Sequence, residues 1–157
     1  MKIDLKWEKP LRMKDGSKQN SIYTISGLDR IAKKPGVYVL VRRFGNSVVP
    51  LYVGQALKLK SRIEQQLNNV QLMMGLKNSP SGHRYLLVGR LCLHPGQQKE
   101  KVLDVVESAL IKHALAQGHD LLNQQGTKTK VHVIRSKGNR YSKQIAPLNM
   151  LAERRND

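Results

Sequence analysis

The strongest constraint on folding lies between residues 36 and 54. Val37 to Arg42 reads Val-Tyr-Val-Leu-Val-Arg, and Val48 to Val53 reads Val-Val-Pro-Leu-Tyr-Val. β-Branched and aromatic side chains lose rotamer freedom in a helix and pack well on a pleated surface. Phe44-Gly45-Asn46-Ser47 between the two runs is turn chemistry, so the pair predicts a β-hairpin. Pro50 cannot donate to a ladder, which puts the second strand at a sheet edge or at a bulge. A hairpin turning about Gly45 sets Tyr38 opposite Tyr52 and Gly36 opposite Gly54. Two tyrosines would then lie side by side at its open end, each beside a glycine that lets another backbone approach. An ordinary cross-strand aromatic pair has the same appearance.

Gly54 breaks the second strand. Ala56, Leu59, Ile63, Leu67 and Val70 follow at spacings of three and four, one face of a helix. Lys77 to Gly82 is loop chemistry, and Tyr85 to Leu93 reads as a third strand. A helix runs from about Gln98 to Gln117 and stops at Gly118. Before the hairpin, Met1 to Asn20 reads as a charged arm with a short strand, and Leu28 to Lys34 as one short helix halted by Pro35. Val131 to Ile134 is a candidate late strand and Ile145 to Arg155 a candidate closing helix. The expected class is α+β, a small central antiparallel sheet of about three strands flanked by helices. All 157 residues are expected to form one domain, with a core over residues 31–125 and flanking arms over 1–30 and 126–157.

Charge narrows the partners. Lys and Arg number 28 against 11 Asp and Glu, a net charge of +17. Between Arg30 and Lys99 the sole acid is Glu64, and from Leu121 to Ala152 there is none. Such a surface attracts phosphate backbones through counterion release. Aromatic residues make up 4%, too few for a binder that works by stacking single-stranded bases. The first ten residues carry charges at Lys2, Asp4, Lys6, Glu8 and Lys9 and read as neither leader nor membrane span. The one cysteine, Cys92, is expected as a small buried apolar side chain, and a reducing cytoplasm is the expected setting.

Leu103, Glu107, Leu110 and Ala114 fall at spacings of four, three and four, so Glu107 interrupts an apolar helical stripe. An ionised carboxylate there requires a partner: an arginine, a metal, or escape to solvent. Arg62 flanks the apolar face of the preceding helix, and Asn123 follows Leu121-Leu122 beyond the second helix. Taken alone, a solvated arginine and a loop asparagine would explain these two.

Together the pieces resemble the GIY-YIG nucleases. Gly36-Val37-Tyr38 and Tyr52-Val53-Gly54 are similar to the two tripeptides that name the family, with valine for isoleucine in each. An arginine after the second tyrosine, a glutamate on a later helix and an asparagine just beyond it match Arg62, Glu107 and Asn123. The family often carries a histidine, tyrosine or lysine near the arginine; here Gln66 stands one turn after Arg62. The resemblance implies a metal-dependent endonuclease that leaves 5′-phosphate and 3′-hydroxyl ends on double-stranded DNA. Glu107 would hold one Mg²⁺ or Mn²⁺, and no small-molecule cofactor or membrane is implied. Tyr38 would activate or orient water, Tyr52 would assist it, Arg62 would bind the phosphate, and Asn123 would fix Glu107 or its waters. Lys58, Lys60, Arg42 and Arg43 near the core, with Arg135, Lys137, Arg140 and Lys143 in the second arm, would contact DNA. Restriction, homing and repair roles stay open, and a restriction role would favour a homodimer. The alternative is a non-catalytic basic DNA- or RNA-binding module with the same fold.

Overall fold

A computed structural model describes residues 1–124 and 129–155, and the side chains within that span except a few near its end. Its class is α+β. Eight strands are described: β1 Asp4–Trp7, β2 Leu11–Asp15, β3 Tyr23–Ile25, β4 Gly36–Phe44, β5 Ser47–Ala56, β6 His83–Cys92, β7 Thr129–Arg135 and β8 Asn149–Arg155. Four α-helices accompany them: α1 Leu59–Leu67, α2 Val70–Lys77, α3 Lys99–Ala116 and α4 Ser142–Ile145.

The main sheet has six strands and every described pairing in it is antiparallel. Its order is β3-β2-β6-β4-β5, with β1 also paired to β6 beside β2. This sheet is twice the size expected from sequence. The difference comes from the segment expected as an arm, which contributes β1, β2 and β3. These strands are only three to five residues long and Met13 and Ile25 are their buried residues, so they carry little apolar alternation to read. The segment expected as a short helix at Leu28 is a single 3-10 turn, Leu28–Arg30.

The hairpin forms as expected but in a different register. It turns at Gly45-Asn46, with φ +60° at Gly45 and Phe44 paired to Ser47. A positive φ at the first central residue suits the primed turns of two-residue hairpins. The register then shifts between Leu40 and Val41, opposite the Pro50-Leu51 step. Tyr38 therefore pairs with Gly54, Leu40 with Tyr52, and Gly36 with Ala56. Proline's missing N–H accounts for the irregularity at that point.

Alternation along the strands splits the core between two faces. Tyr38, Leu40, Leu86 and Val88 pack under α1 and α2, against Leu59, Ile63, Leu72, Met73 and Leu76. Val37, Val39, Val41 and Val53 face α3, meeting Val102, Leu103, Val106 and Ala114. The stripe from Ala56 to Val70 is not one helix: β5 continues past Gly54 to end at Ala56, α1 holds Leu59 to Leu67, and Val70 opens α2. Asn68 and Asn69 interrupt the stripe, and the Asn69 side chain accepts from Leu72 N as the N-cap of α2.

The tail departs furthest from expectation. β7 forms where a late strand was expected, but residues 149–155 are β8, its antiparallel partner, not a helix. Ala146 precedes Pro147 and is extended, with φ −130° and ψ 124°, so helix α4 cannot continue. The expected boundary at residues 125–126 lies outside the described residues. Cys92 is exposed at the end of β6 rather than buried. Among the described residues, no helix is long and apolar enough to cross a membrane.

Candidate active site

The hairpin's open end carries two groups of polar side chains, one on each face of the sheet. Tyr38 and Tyr52 are diagonal neighbours on one face of the sheet, stacked with ring centroids 6.1 Å apart and an interplanar angle of 28°. Gly54 makes this possible, since a Cβ there would overlap the Tyr38 ring. Gly36 is needed for a different contact: its Cβ would meet the Gly89 carbonyl and the Leu59 side chain. The expected approach of another backbone holds at Gly36, whereas Gly54 admits an aromatic ring, and the two glycines are not paired with each other.

Helix α1 covers the tyrosines and contributes Gln66. Its amide nitrogen donates to the Tyr38 hydroxyl oxygen at 2.8 Å and to the Tyr52 hydroxyl oxygen at 3.2 Å. Gln66 is 6% exposed and Tyr38 only 1%. Burial pushes the Tyr38 hydroxyl up to about 12, against weaker downward effects from the Gln66 hydrogen bond and from the charge and hydrogen bonding of Arg62. Tyr38 is therefore neutral at physiological pH, and the pull of Arg62 does not reverse that. Arg62 itself is exposed on α1, with Nη1 also 3.5 Å from Gln65 Oε1.

On the opposite face, α3 brings a carboxylate pair to the same stretch of β5. The Gln55 amide nitrogen donates to Glu107 Oε2 at 2.9 Å and to Asp104 Oδ1 at 2.7 Å. Glu107 is half-buried. Burial raises its pKa above 4.5, the Gln55 hydrogen bond lowers it, and the nearby Asp104 charge raises it again. The stripe position of Glu107 is thus met by an amide and a second acid, not by an arginine.

Asn123 lies elsewhere than on Glu107. Its Nδ2 donates to the Val53 carbonyl at 2.8 Å, and its Oδ1 accepts from Val53 N at 3.5 Å. It reads the outer edge of β5 immediately before Gly54. Its described hydrogen bonds are to Val53, not to Glu107.

The structure does not bring all the expected basic contacts to this end. Arg42 and Arg43 lie toward the turn, roughly 13 and 17 Å along β4 from Tyr38 at ~3.3 Å per residue. There Arg42 donates to the Ser81 carbonyl at 3.1 Å, and the Arg43 guanidinium sits 5.5 Å from the Tyr85 ring centroid. Lys58 is exposed at the start of α1, and Lys60 pairs with Glu64 at 3.9 Å. Arg135 and Lys137 line a cleft of about 540 Å³ between the end of α3 and the β7–β8 ribbon. Arg140 and Lys143 are exposed close by, around α4. Arg84 is 6% exposed and donates to the carbonyls of Leu76, Ser79, Pro80 and Gly82. It closes the end of α2 rather than facing a partner.

No family model matches the chain, and neither a curated protein nor a solved structure matches it.

Sequence reasoning missed three residues of these two groups: Gln55, Asp104 and Gln66. Gln66 had a usable signal, because Leu59, Ile63 and Gln66 share the buried face of α1. Asp104 also had one, since it stands one turn before Glu107 on α3. Strand alternation places Gln55 away from Tyr52 and Gly54, but only knowledge of where α3 packs gives that meaning. Asp104 and Glu107 carry oxygen donors of the kind a hard cation takes, and the Gln55 amide nitrogen donates to both. Among the described residues there is no group of three His, Cys, Asp or Glu side chains that could enclose a metal. A cation here would complete its shell with water and substrate oxygens, as Mg²⁺ commonly does.

Proposed function

We propose that the chain is a GIY-YIG-type endonuclease that hydrolyses phosphodiester bonds in double-stranded DNA with a divalent cation. One observation carries the reading. From opposite faces of the sheet, a tyrosine pair and a carboxylate pair meet the same dipeptide of an edge strand: Tyr38 lies over Gly54, and Asp104 and Glu107 hold Gln55. Arg62 is exposed beside Tyr38, in a position to take a phosphate with its forked guanidinium. The +17 charge supports a polyanionic substrate.

In this reading Glu107, with Asp104 beside it, would hold Mg²⁺ or Mn²⁺, which supplies positive charge for the scissile phosphate and the leaving 3′ oxygen. Arg62 binds the phosphate and offsets the charge that grows on it. Tyr52, the less buried tyrosine, hydrogen-bonds the substrate. Tyr38 orients its neighbours rather than accepting a proton, because burial holds its hydroxyl neutral. Products would carry 5′-phosphate and 3′-hydroxyl ends.

Supercoiled plasmid incubated with Mg²⁺ or with EDTA tests this, with Glu107→Ala as the control for contaminating nucleases. Nicking that needs Mg²⁺ and vanishes in the variant is the expected result. The burial of Tyr38 favours one second reading, a non-catalytic DNA- or RNA-binding module of the same shape. Tight, salt-sensitive plasmid binding without nicking by the unaltered protein would select that reading.

A further inference from the structure

Gln66 sits between two hydroxyl groups, and which way its amide points decides what those groups can do. A side-chain amide can face a hydroxyl with either its nitrogen, which donates, or its oxygen, which accepts. The choice is settled two links away. Leu72 N is an unpaired donor of the first turn of α2, and it is satisfied by Asn69 Oδ1 at 3.1 Å. With its oxygen committed there, Asn69 presents its nitrogen, which donates to Gln66 Oε1 at 3.3 Å. Gln66 must then turn its own nitrogen toward the tyrosines. A flipped Gln66 would set two NH₂ groups against each other at Asn69.

Both tyrosine oxygens are consequently acceptors toward Gln66. Each hydroxyl proton has to point away from it. Tyr38 is enclosed. Tyr52 is half-exposed, so its proton is free to meet a ligand from solvent.

We infer that Gln66 is a positioning residue that makes Tyr52 an obligate hydrogen-bond donor, so that this face of the site takes an anionic phosphate oxygen rather than the proton of an attacking water. The inference rests on the nuclease reading for the identity of the anion as a nucleic-acid phosphate, but not for the donor direction.

A double-mutant cycle on binding, with cutting suppressed, tests it. The probe is a short DNA duplex in EDTA, and the readout is Kd. Tyr52→Phe should weaken binding about tenfold, the scale of one hydrogen bond to a charged group. Gln66→Glu offers only acceptors, so the Tyr52 proton turns inward. The loss should be at least as large. In the Tyr52→Phe background Gln66→Glu should cost less than about twofold more, because the donor is already gone. Gln66→Met, which keeps the volume and frees the hydroxyl to rotate, should fall between and serves if the charged variant does not fold. Additive losses, or Kd values untouched by Tyr52→Phe, would overturn the inference. So would unchanged binding by Tyr52→Phe with loss of Mg²⁺-dependent cutting, the pattern of a proton acceptor. The donor direction has its own readout: slowed exchange of the Gln66 amide hydrogens, with cross-peaks to the Tyr38 and Tyr52 ring protons. Their absence would reject the amide orientation whether or not the protein cuts DNA. A failure of the nuclease reading shows separately, as wild-type protein that binds duplex and never nicks it.

Discussion

A carboxylate held partly out of water costs stability whenever it is ionised, and Glu107 is such a group. Its folded pKa lies above its unfolded value because burial and Asp104 outweigh the Gln55 hydrogen bond. The stability it contributes is thus full below about pH 4 and is lost as pH rises through the raised value. At neutral pH the ionised side chain is a burden. Glu107→Gln should accordingly raise the thermal midpoint at pH 7, with the gain shrinking to nothing near pH 4; a lowered midpoint at pH 7 would contradict the burial argument. Tyr38 behaves alike at the alkaline end. The folded protein keeps that proton up to about 12, while the unfolded chain releases it near 10.0. Stability should fall through that window by up to roughly 2–3 kcal/mol from this group. Urea midpoints at pH 9 and pH 11.5 should therefore drop less for Tyr38→Phe than for the wild type. At this scale the sequence disclosed the polar residues that break apolar stripes, Glu107 and in principle Gln66. It could not disclose Gln55 or the Val53 contact of Asn123, because each depends on which element packs opposite.

Elements were legible where one pattern ran long enough. The hairpin and α3 each span nine residues or more, and both were expected close to where they form. Their register and edges were not. A single irregularity opposite Pro50-Leu51 shifts every cross-strand partner beyond it, including Tyr38 and Tyr52. Val70 illustrates another limit: it continues the apolar spacing of α1, yet it is exposed as the first residue of α2. The junction between those helices depends on Asn69, whose side chain caps α2 and also holds Gln66. Asn69→Ala should cost about 1 kcal/mol, as lost N-caps do. A midpoint shift in urea unfolding measures it, and no shift would remove the cap from the account.

For the whole molecule, the charge is the property most plainly written in the sequence and the one most unevenly used. Arg84 is consumed by helix α2 and its following loop, Arg42 and Arg43 by the far end of the hairpin, and Lys60 by Glu64. Arg135 and Lys137 remain beside a cleft whose surroundings hold Arg140 and Lys143. If Arg135 and Lys137 each meet a phosphate, replacing both with alanine should flatten the plot of log K against log salt by about 2, at ~0.9 per phosphate. An unchanged slope would move the duplex to another face.

β5 closes the sheet on one side, and its outer backbone would ordinarily be open to a strand from a second molecule. At Val53 that opening is taken. Asn123 offers its own amide there, giving a hydrogen to the carbonyl and an oxygen to the N–H, as a neighbouring peptide unit would. The asparagine matched to a nuclease motif is therefore also a stopper against zippering between copies. Asn123→Ala should leave a free donor and acceptor at the middle of an edge strand. Light scattering that grows with protein concentration in the variant alone would reveal the lost insulation, and identical curves would show that something else guards the edge.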